Sequence, residues 1–448
     1  MLYVRNKKLR KIFFKNKGGK KKKMLKKISF TLLAMLLIGM LTASVFAASN
    51  TVTILGVWTG AEAEAFNKMI APFEAETGIK VEFTGTRDLP AVLTTQVEAG
   101  NPPDVSALPN PGQMIEFAKS GKLVDLSTFM DMDVLRSDYS QTWLDLGSYQ
   151  GKFCGVFISA DLKSLVWYSP KAFAAAGYTV PTTWEEMIAL SDKMVAEGKT
   201  PWAIGFESGA ASGWAGTDWI EDIMLRTVEP EVYDLWVTHG ISWEDDRVQR
   251  AFELFGQIAL NEKYVYGGTN AELTINFGDS PDALFTTPPN AYMHRQATFI
   301  KSFILDHFPN LVPGEDFDFF PFPPIDPQYG NPALGAADMF AMFNDTPEAR
   351  AFMEYIVSPE AQGIWVGELG KLSANKRINP AVYPDDLTRK AAKILSEAST
   401  FRFDGSDLMP SAVGGGSFWT GILDYASGIP LTKVLSTIET SALDAYRK

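Results

Sequence analysis

The stretch SGWAGTDWIED, residues 212–222, sets two tryptophans five residues apart among glycines and carboxylates, with no His or Cys beside them. An aromatic ring next to polar groups suits a sugar. The C–H face of the sugar stacks on the ring, and its hydroxyls bond to Asp, Glu, Asn or Arg. Asp218 and Glu221 are spaced to cap a helix that runs on through IEDIMLR. That places Trp219 in the first turn and Trp214 in the loop before it. Positions five apart do not share a helix face, so one apolar stripe does not explain both rings. Core packing is the plain alternative for each, and Trp214 is the stronger candidate for a ligand contact.

Signatures of covalent chemistry are scarce. The three histidines, His239, His294 and His307, lack metal-ligand spacing. HExxH, CxxC and G-x-S-x-G are absent, and GGGSFW lacks the Lys-Ser/Thr ending of a phosphate loop. Carboxylates are plentiful, so a glycosidase pair stays open as a rival. In a chain this acidic most of them face solvent. No metal or cofactor is expected.

The start of the chain sets the compartment. Residues 1–27 are basic, ISFTLLAMLLIGM (28–40) is apolar and uncharged, and LTASVFAASN supplies small residues. This order predicts a secretory signal peptide over 1–47, cut after Ala47 with Val45 at the −3 place. A membrane anchor is the alternative, but the apolar run falls short of the roughly 20 residues a spanning helix needs. Met24 is a better start than Met1 for a leader of ordinary length. Removing 1–47, which holds 13 Lys/Arg and no Asp/Glu, takes the formal net charge from −12 to −25. Such a surface repels phosphate backbones and argues against nucleic acid as a partner. Cys154 is the only cysteine, so no disulfide forms within the chain and no lipid-bearing Cys follows the apolar run. The expected location is outside the cytoplasm, periplasmic or extracellular, and not as a lipoprotein.

The candidate residues need elements to hold them. NTVTILGVW alternates as a strand, and AEAFNKMIAPFEAETG spaces Ala65, Phe66, Met69, Ile70 and Phe73 for a helix stopped by Gly78. IKVEFTG, PAVLTTQVEAG and PPDVSALP continue as strand, helix and strand. This order favours a parallel sheet with helices on both faces. Ser169–Pro170, Thr346–Pro347 and Ser358–Pro359 mark helix starts, and Thr183 with Glu186 is spaced as a capping box. The Phe- and Pro-rich stretch 308–332 reads as a packed, extended passage between lobes. Ligand loops in such folds lie past the carboxyl ends of strands. Those loops carry Trp58 and Glu62, then Arg87, then Asn110. Each has a plain alternative: core ring, helix-start charge, surface ion pair. Together they form one rim of a cleft.

GVFISADLKSLVWYSPKAFAAAGYTVPTTWEEM, residues 155–187, resembles the signature of the family 1 extracellular solute-binding proteins of ABC transporters, which bind carbohydrates. FEAETGIKVEF, PPDV, GKLVDL, YIVSPEAQGIW and GKLSANK resemble the family's other landmarks, so the likeness spans the mature chain. One departure is Ser169, where the family usually has Asn or Asp; Ser still caps a helix. SGWAGTDWIED, ALFTTPPNAYMHRQATFI and FRFDGSDLMPSAVGGGSFW resemble the alpha-glucoside-binding branch.

The resemblance implies an α/β, two-lobed periplasmic-binding-protein fold of type II. Each lobe is a mixed, mainly parallel sheet flanked by helices, with the ligand cleft at the hinge. The first lobe is expected over 48–157 and 334–369, the second over 158–333 and 370–448. By the same resemblance Asp161 and Lys163 follow the hinge strand, and Glu62, Arg87 and Asn110 belong to first-lobe loops. Trp214 and Asp218 supply second-lobe contacts, joined by His294. Asp338 lies on a strand that re-crosses near the cleft, with a purely structural hinge role as its alternative. Trp419 adds a stacking face. The implied function is non-enzymatic capture of an alpha-glucoside or similar oligosaccharide by lobe closure, with delivery to ABC permease transmembrane subunits by a monomer. A secreted glycoside hydrolase is the rival, and a structural cell-surface protein is a third reading.

Overall fold

The computed structural model describes residues 50–447. The signal peptide, its cleavage point and the choice of start at Met24 lie outside the described residues. Among those described, no helix is long and apolar enough to cross a membrane.

Strands β1 (Thr51–Gly56), β2 (Lys80–Gly85) and β3 (Val105–Leu108) alternate with helices Ala61–Thr77 and Leu89–Glu98. A hairpin of β4 (Ser148–Tyr149) and β5 (Lys152–Phe153) leads to β6 (Gly155–Phe157), β7 (Asp161–Leu162) and β8 (Leu165–Tyr168). Much later come β9 (Met293–Arg295), β10 (Asp318–Pro321), β11 (Ala333–Ala336), β12 (Met339–Met342) and β13 (Phe401–Phe403).

The first sheet has the order β2-β1-β3-β12-β6. Its β2-β1-β3 part is parallel, as the β-α-β-α-β reading expects, and β12 runs antiparallel to both of its neighbours. Val52 and Ile54 of β1 face the core. The helix Ala61–Thr77 buries Ala65, Phe66, Met69, Ile70 and Phe73 and ends at Gly78, whose φ of 70° is left-handed. Gly85 closes β2 because the chain leaving β1 crosses it. A Cβ there would stand 1.9 Å from the Trp58 carbonyl oxygen. One apolar cluster covers this sheet, drawing on residues between 52 and 158 and between 337 and 378, with Phe403.

The second lobe is mixed, but its strands do not pair mainly in parallel. β8 runs antiparallel to both β10 and β9. The outer two are therefore parallel to each other, and the helix Ile300–His307 lies between them in sequence. Parallel pairing here includes β11 with β13 and the bridges of Trp202 to Met293 and to Val265 and of Glu207 to Asn276. A smaller sheet, β13-β11-β7, joins its strands near the crossing segments. The stretch 308–332 also departs from expectation: it supplies strand β10 of the second lobe rather than only a passage between lobes. Strand alternation sends Phe320 and Phe322 into the second-lobe core and Phe317 and Phe319 into a separate cluster with Leu162 and Leu165.

Candidate functional site

The loops past β1, β2 and β3 and the segments around β7, β11 and β13 converge on one cavity of about 110 Å³. Nine of the residues singled out in the sequence line it: Trp58, Glu62, Arg87, Asn110, Asp161, Lys163, Trp214, Asp338 and Trp419.

From the first lobe, Trp58 is fully buried with its ring 4.4 Å from that of Trp365, so it is both core and cavity floor. Its Nε1 donates to Asp338 Oδ2 at 3.0 Å. Glu62, in the first turn of Ala61–Thr77, pairs with Arg87 at 2.6 Å. The Arg87 guanidinium lies 5.1 Å from the Phe277 ring centre, across the cleft. Asn110 precedes the helix Pro111–Lys119 but does not cap it. Its side-chain amide donates instead to Asp407 Oδ1.

From the second lobe, the helix Trp214–Leu225 begins one turn earlier than the capping signal predicts. Gly213 precedes it with φ 106°, and a Cβ there would meet the Trp419 carbonyl oxygen at 2.4 Å. That close approach brings Trp214 and Trp419 to the same wall. Asp218 and Glu221 therefore sit inside the helix rather than at its cap. Trp219 points the other way, 2% exposed, against Trp202 and Phe322.

The lysines of this wall are buried and paired with carboxylates, while Asp218 Oδ2 and Glu221 Oε2 are buried without a hydrogen-bond partner among the described residues. Lys371 Nζ lies 3.0 Å from Asp161 Oδ2, 3.1 Å from Asp338 Oδ2 and 3.9 Å from Glu62 Oε1. Burial works against its charge, and the three carboxylates outweigh burial, holding its pKa above the usual lysine range. The remaining oxygen of Asp161 accepts from Thr298 Oγ1 at 2.8 Å. Lys163 donates to Asp218 Oδ1 at 2.8 Å and to Asp404 Oδ2, and its ammonium lies 5.3 Å from the Trp214 ring centre. Burial opposes this ammonium too, and Asp218 and Asp404 hold it charged. Burial and Asp404 push Asp407 well above the carboxylate range, and burial with Asp404 and Asp218 does the same to Glu221. Burial raises Asp218 to about 7 against the pull of Lys163.

Behind this wall the alternation of charge continues. Arg295 contacts Asp218 at 3.4 Å and Asp222 at 3.1 Å. Asp222 pairs with Arg226, whose Nη2 donates to the Phe322 and Pro332 carbonyls at 3.0 Å each. Oxygens of Asp218, Glu221 and Asp404 lie close enough together to hold a metal ion. Lys163 already pairs with two of the three, so the protein's own cation fills that role.

Two of the expected contacts stand elsewhere. Asp218 is 1% exposed and sits one helical turn below Trp214, supporting Lys163 from behind rather than lining the cavity. His294 lies on β9 opposite Trp167, inside the second lobe. Its Nδ1 is 2.9 Å from the Ala203 carbonyl, so that nitrogen carries the proton. Burial lowers its pKa to about 4, leaving it a neutral core residue. The sequence reading missed Lys371, Asp404 and Asp407. All three fall in landmark stretches, GKLSANK and FRFDGSD, where charged residues flank glycine just past a helix or strand.

A family profile described as bacterial extracellular solute-binding protein matches residues 59–363. The chain is 48% identical over 390 residues to the osmoprotective compounds-binding protein GgtB of Synechocystis, covering 87% of this chain and 92% of that protein. It is 42% identical over 389 residues to the alpha-glucosides-binding periplasmic protein AglE of Rhizobium meliloti, covering 85% and 84%. A solved chitin oligosaccharide binding protein shares the fold with a TM-score of 0.77 at 20% identity, over 89% of this chain and 99% of its own. The solute receptor AcbH does so at 0.74 and 21%, over 89% and 98%. These relatives are binding proteins, which supports a binding role and not the glycoside hydrolase. The match covers most of the chain, and the chain belongs to the bacterial extracellular solute-binding proteins.

Proposed function

We propose that this protein captures a neutral sugar between its lobes and hands it to the transmembrane subunits of an ABC importer. The observation that carries this reading is the convergence of rings and acids from both lobes on one cavity whose cations are already neutralised. Trp214 and Trp419 offer faces for sugar C–H groups. Glu62, Asp161, Asp338 and Asp407 offer acceptors for hydroxyls. Arg87, Asn110 and Lys163 offer donors. The names of GgtB and AglE support an osmoprotective compound or an alpha-glucoside as the ligand class.

The lobes in this reading comprise 48–157 with 334–369, and 158–333 with 370–448; two large apolar clusters support a two-lobed division, although Ile158, Ala374, Ile378 and Phe403 pack with the first lobe and Leu334 with the second. The open form binds sugar on one lobe, and contacts from the other favour closure. The protein acts as an exported monomer, in the periplasm or outside the cell, without a lipid anchor. Thermal unfolding with maltose, trehalose or sucrose tests the reading. A ligand at about 100 times its Kd adds roughly 3 kcal/mol of stability. If no neutral sugar raises the Tm, the reading fails.

A further inference from the structure

The cavity is small and partly open. One water needs about 10–15 Å³ of volume measured this way and stands for about 30 Å³ of liquid. A cavity of about 110 Å³ therefore holds roughly 7–11 waters, or about 220–330 Å³ of condensed matter. A hexose of about 190 Å³ fits with a small aglycone, a disaccharide of about 350 Å³ fills it, and a trisaccharide of about 500 Å³ has to extend beyond it.

One side of the cavity has a visible stop. Arg87 and Pro90 of the first lobe line it opposite Ser208 and Ala211 of the second. Just outside them, where the chain is exposed, the Ala210 amide donates to Asp88 Oδ1 at 2.8 Å. Gly209 has φ +60°, and a Cβ on it would stand 2.9 Å from the same oxygen. The two lobes are thus joined directly at this rim, and Arg87 is held behind it by Glu62 at 2.6 Å and by the Phe277 ring.

The charge pattern narrows the ligand further. The cationic side chains on the wall are Arg87, Lys163 and Lys371, and each has a carboxylate partner within 3.1 Å. An anionic group would have to break one of these buried pairs, which leaves a carboxylate buried without its partner.

We propose that the Asp88–Ala210 contact and the Arg87 side chain act as a length stop, restricting this receptor to compact, uncharged glycosides of at most two rings. This rests on the sugar-binding reading above and adds a size and charge limit to it. Asp88 joins the exposed rim to the Ala210 amide, so Asp88→Ala removes the rim half of the stop and leaves Arg87 and the buried pairs in place.

Titration calorimetry on the native protein and on Asp88→Ala tests it, with glucose, maltose, trehalose, sucrose, maltotriose, raffinose and glucose 6-phosphate as probes. The native protein is expected to bind at least one mono- or disaccharide and to bind both trisaccharides and the phosphate about 100-fold or more weakly. Asp88→Ala is expected to narrow the trisaccharide gap about tenfold. Trisaccharide or phosphate affinity within tenfold of the best small sugar overturns the limit while leaving sugar binding intact. A gap unchanged in Asp88→Ala overturns the rim contact as part of the stop. Silence from every sugar overturns the parent reading instead.

Discussion

Glu272 ends the short helix Thr269–Glu272, is fully buried, and neither of its carboxyl oxygens has a hydrogen-bond partner among the described residues. Its backbone carbonyl accepts from the Phe206 amide, at the root of the loop that carries Ser208 and Ala211 and leads into the helix at Trp214. Burial, with a smaller push from Glu262, raises its pKa from 4.5 to about 9. The folded protein therefore keeps this proton while the unfolded chain loses it near the ordinary value. A folded pKa above the unfolded one means the stabilisation is complete below about pH 4.5 and drains away as pH climbs toward 9. The drain is about 1.4 kcal/mol per pH unit. Between pH 6 and pH 8 it amounts to about 3 kcal/mol. Glu272→Gln removes this proton and keeps the shape. The other raised carboxyls, Asp218, Glu221 and Asp407, are present in both proteins and cancel in the difference. Urea unfolding of native protein and Glu272→Gln at pH 6 and pH 8 measures it. The variant should gain on the native protein by about 3 kcal/mol over that interval. A gap that stays constant to within about 0.5 kcal/mol would refute the buried, protonated glutamate.

Gly85→Ala drives a methyl into the Trp58 carbonyl and should cost about 1–3 kcal/mol or more, read as a lower urea midpoint, with weaker sugar binding as the Trp58 loop shifts. Lys371→Met leaves Asp161 and Asp338 buried without their cation; a loss of about 3–5 kcal/mol is expected in thermal or chemical unfolding. Trp214→Ala removes a ring that only partly contributes to the core, so calorimetry should show sugar affinity falling about tenfold while the protein still folds.

The parts of this molecule governed by local chemistry were readable. Ser169, Thr346 and Ser358 each accept the amide three residues on, as a residue before proline at a helix start should. At Thr183 the box half closed as read: its hydroxyl accepts from Glu186 N–H, but the Glu186 carboxylate reaches back one residue further, to Thr182. The loops after β1, β2 and β3 were also legible, because parallel strands put their carboxyl ends on one side and so bring Trp58, Arg87 and Asn110 together. Depth was harder to read. Asp218 and Trp214 share a helix face, and nothing in the spacing says which is nearer the ligand. On β9, strand alternation decides that His294 faces the lobe interior, and that depends on which strand lies beside it. Lys371 meets Asp161 only because a chain 210 residues longer returns to the hinge, and no local pattern records a contact of that range.

The neutralised wall has a consequence for the medium in which the protein works. A receptor whose grip depended on an open ammonium or guanidinium would exchange bound counterions for its ligand, and would lose hold as the surroundings grew saltier. Here Lys371, Lys163 and Arg87 carry their counter-charges as covalent parts of the same chain. Uptake of an uncharged guest then displaces no ions at all. The occupancy of this receptor should be nearly the same in dilute and in briny water, tracking the concentration of its guest alone.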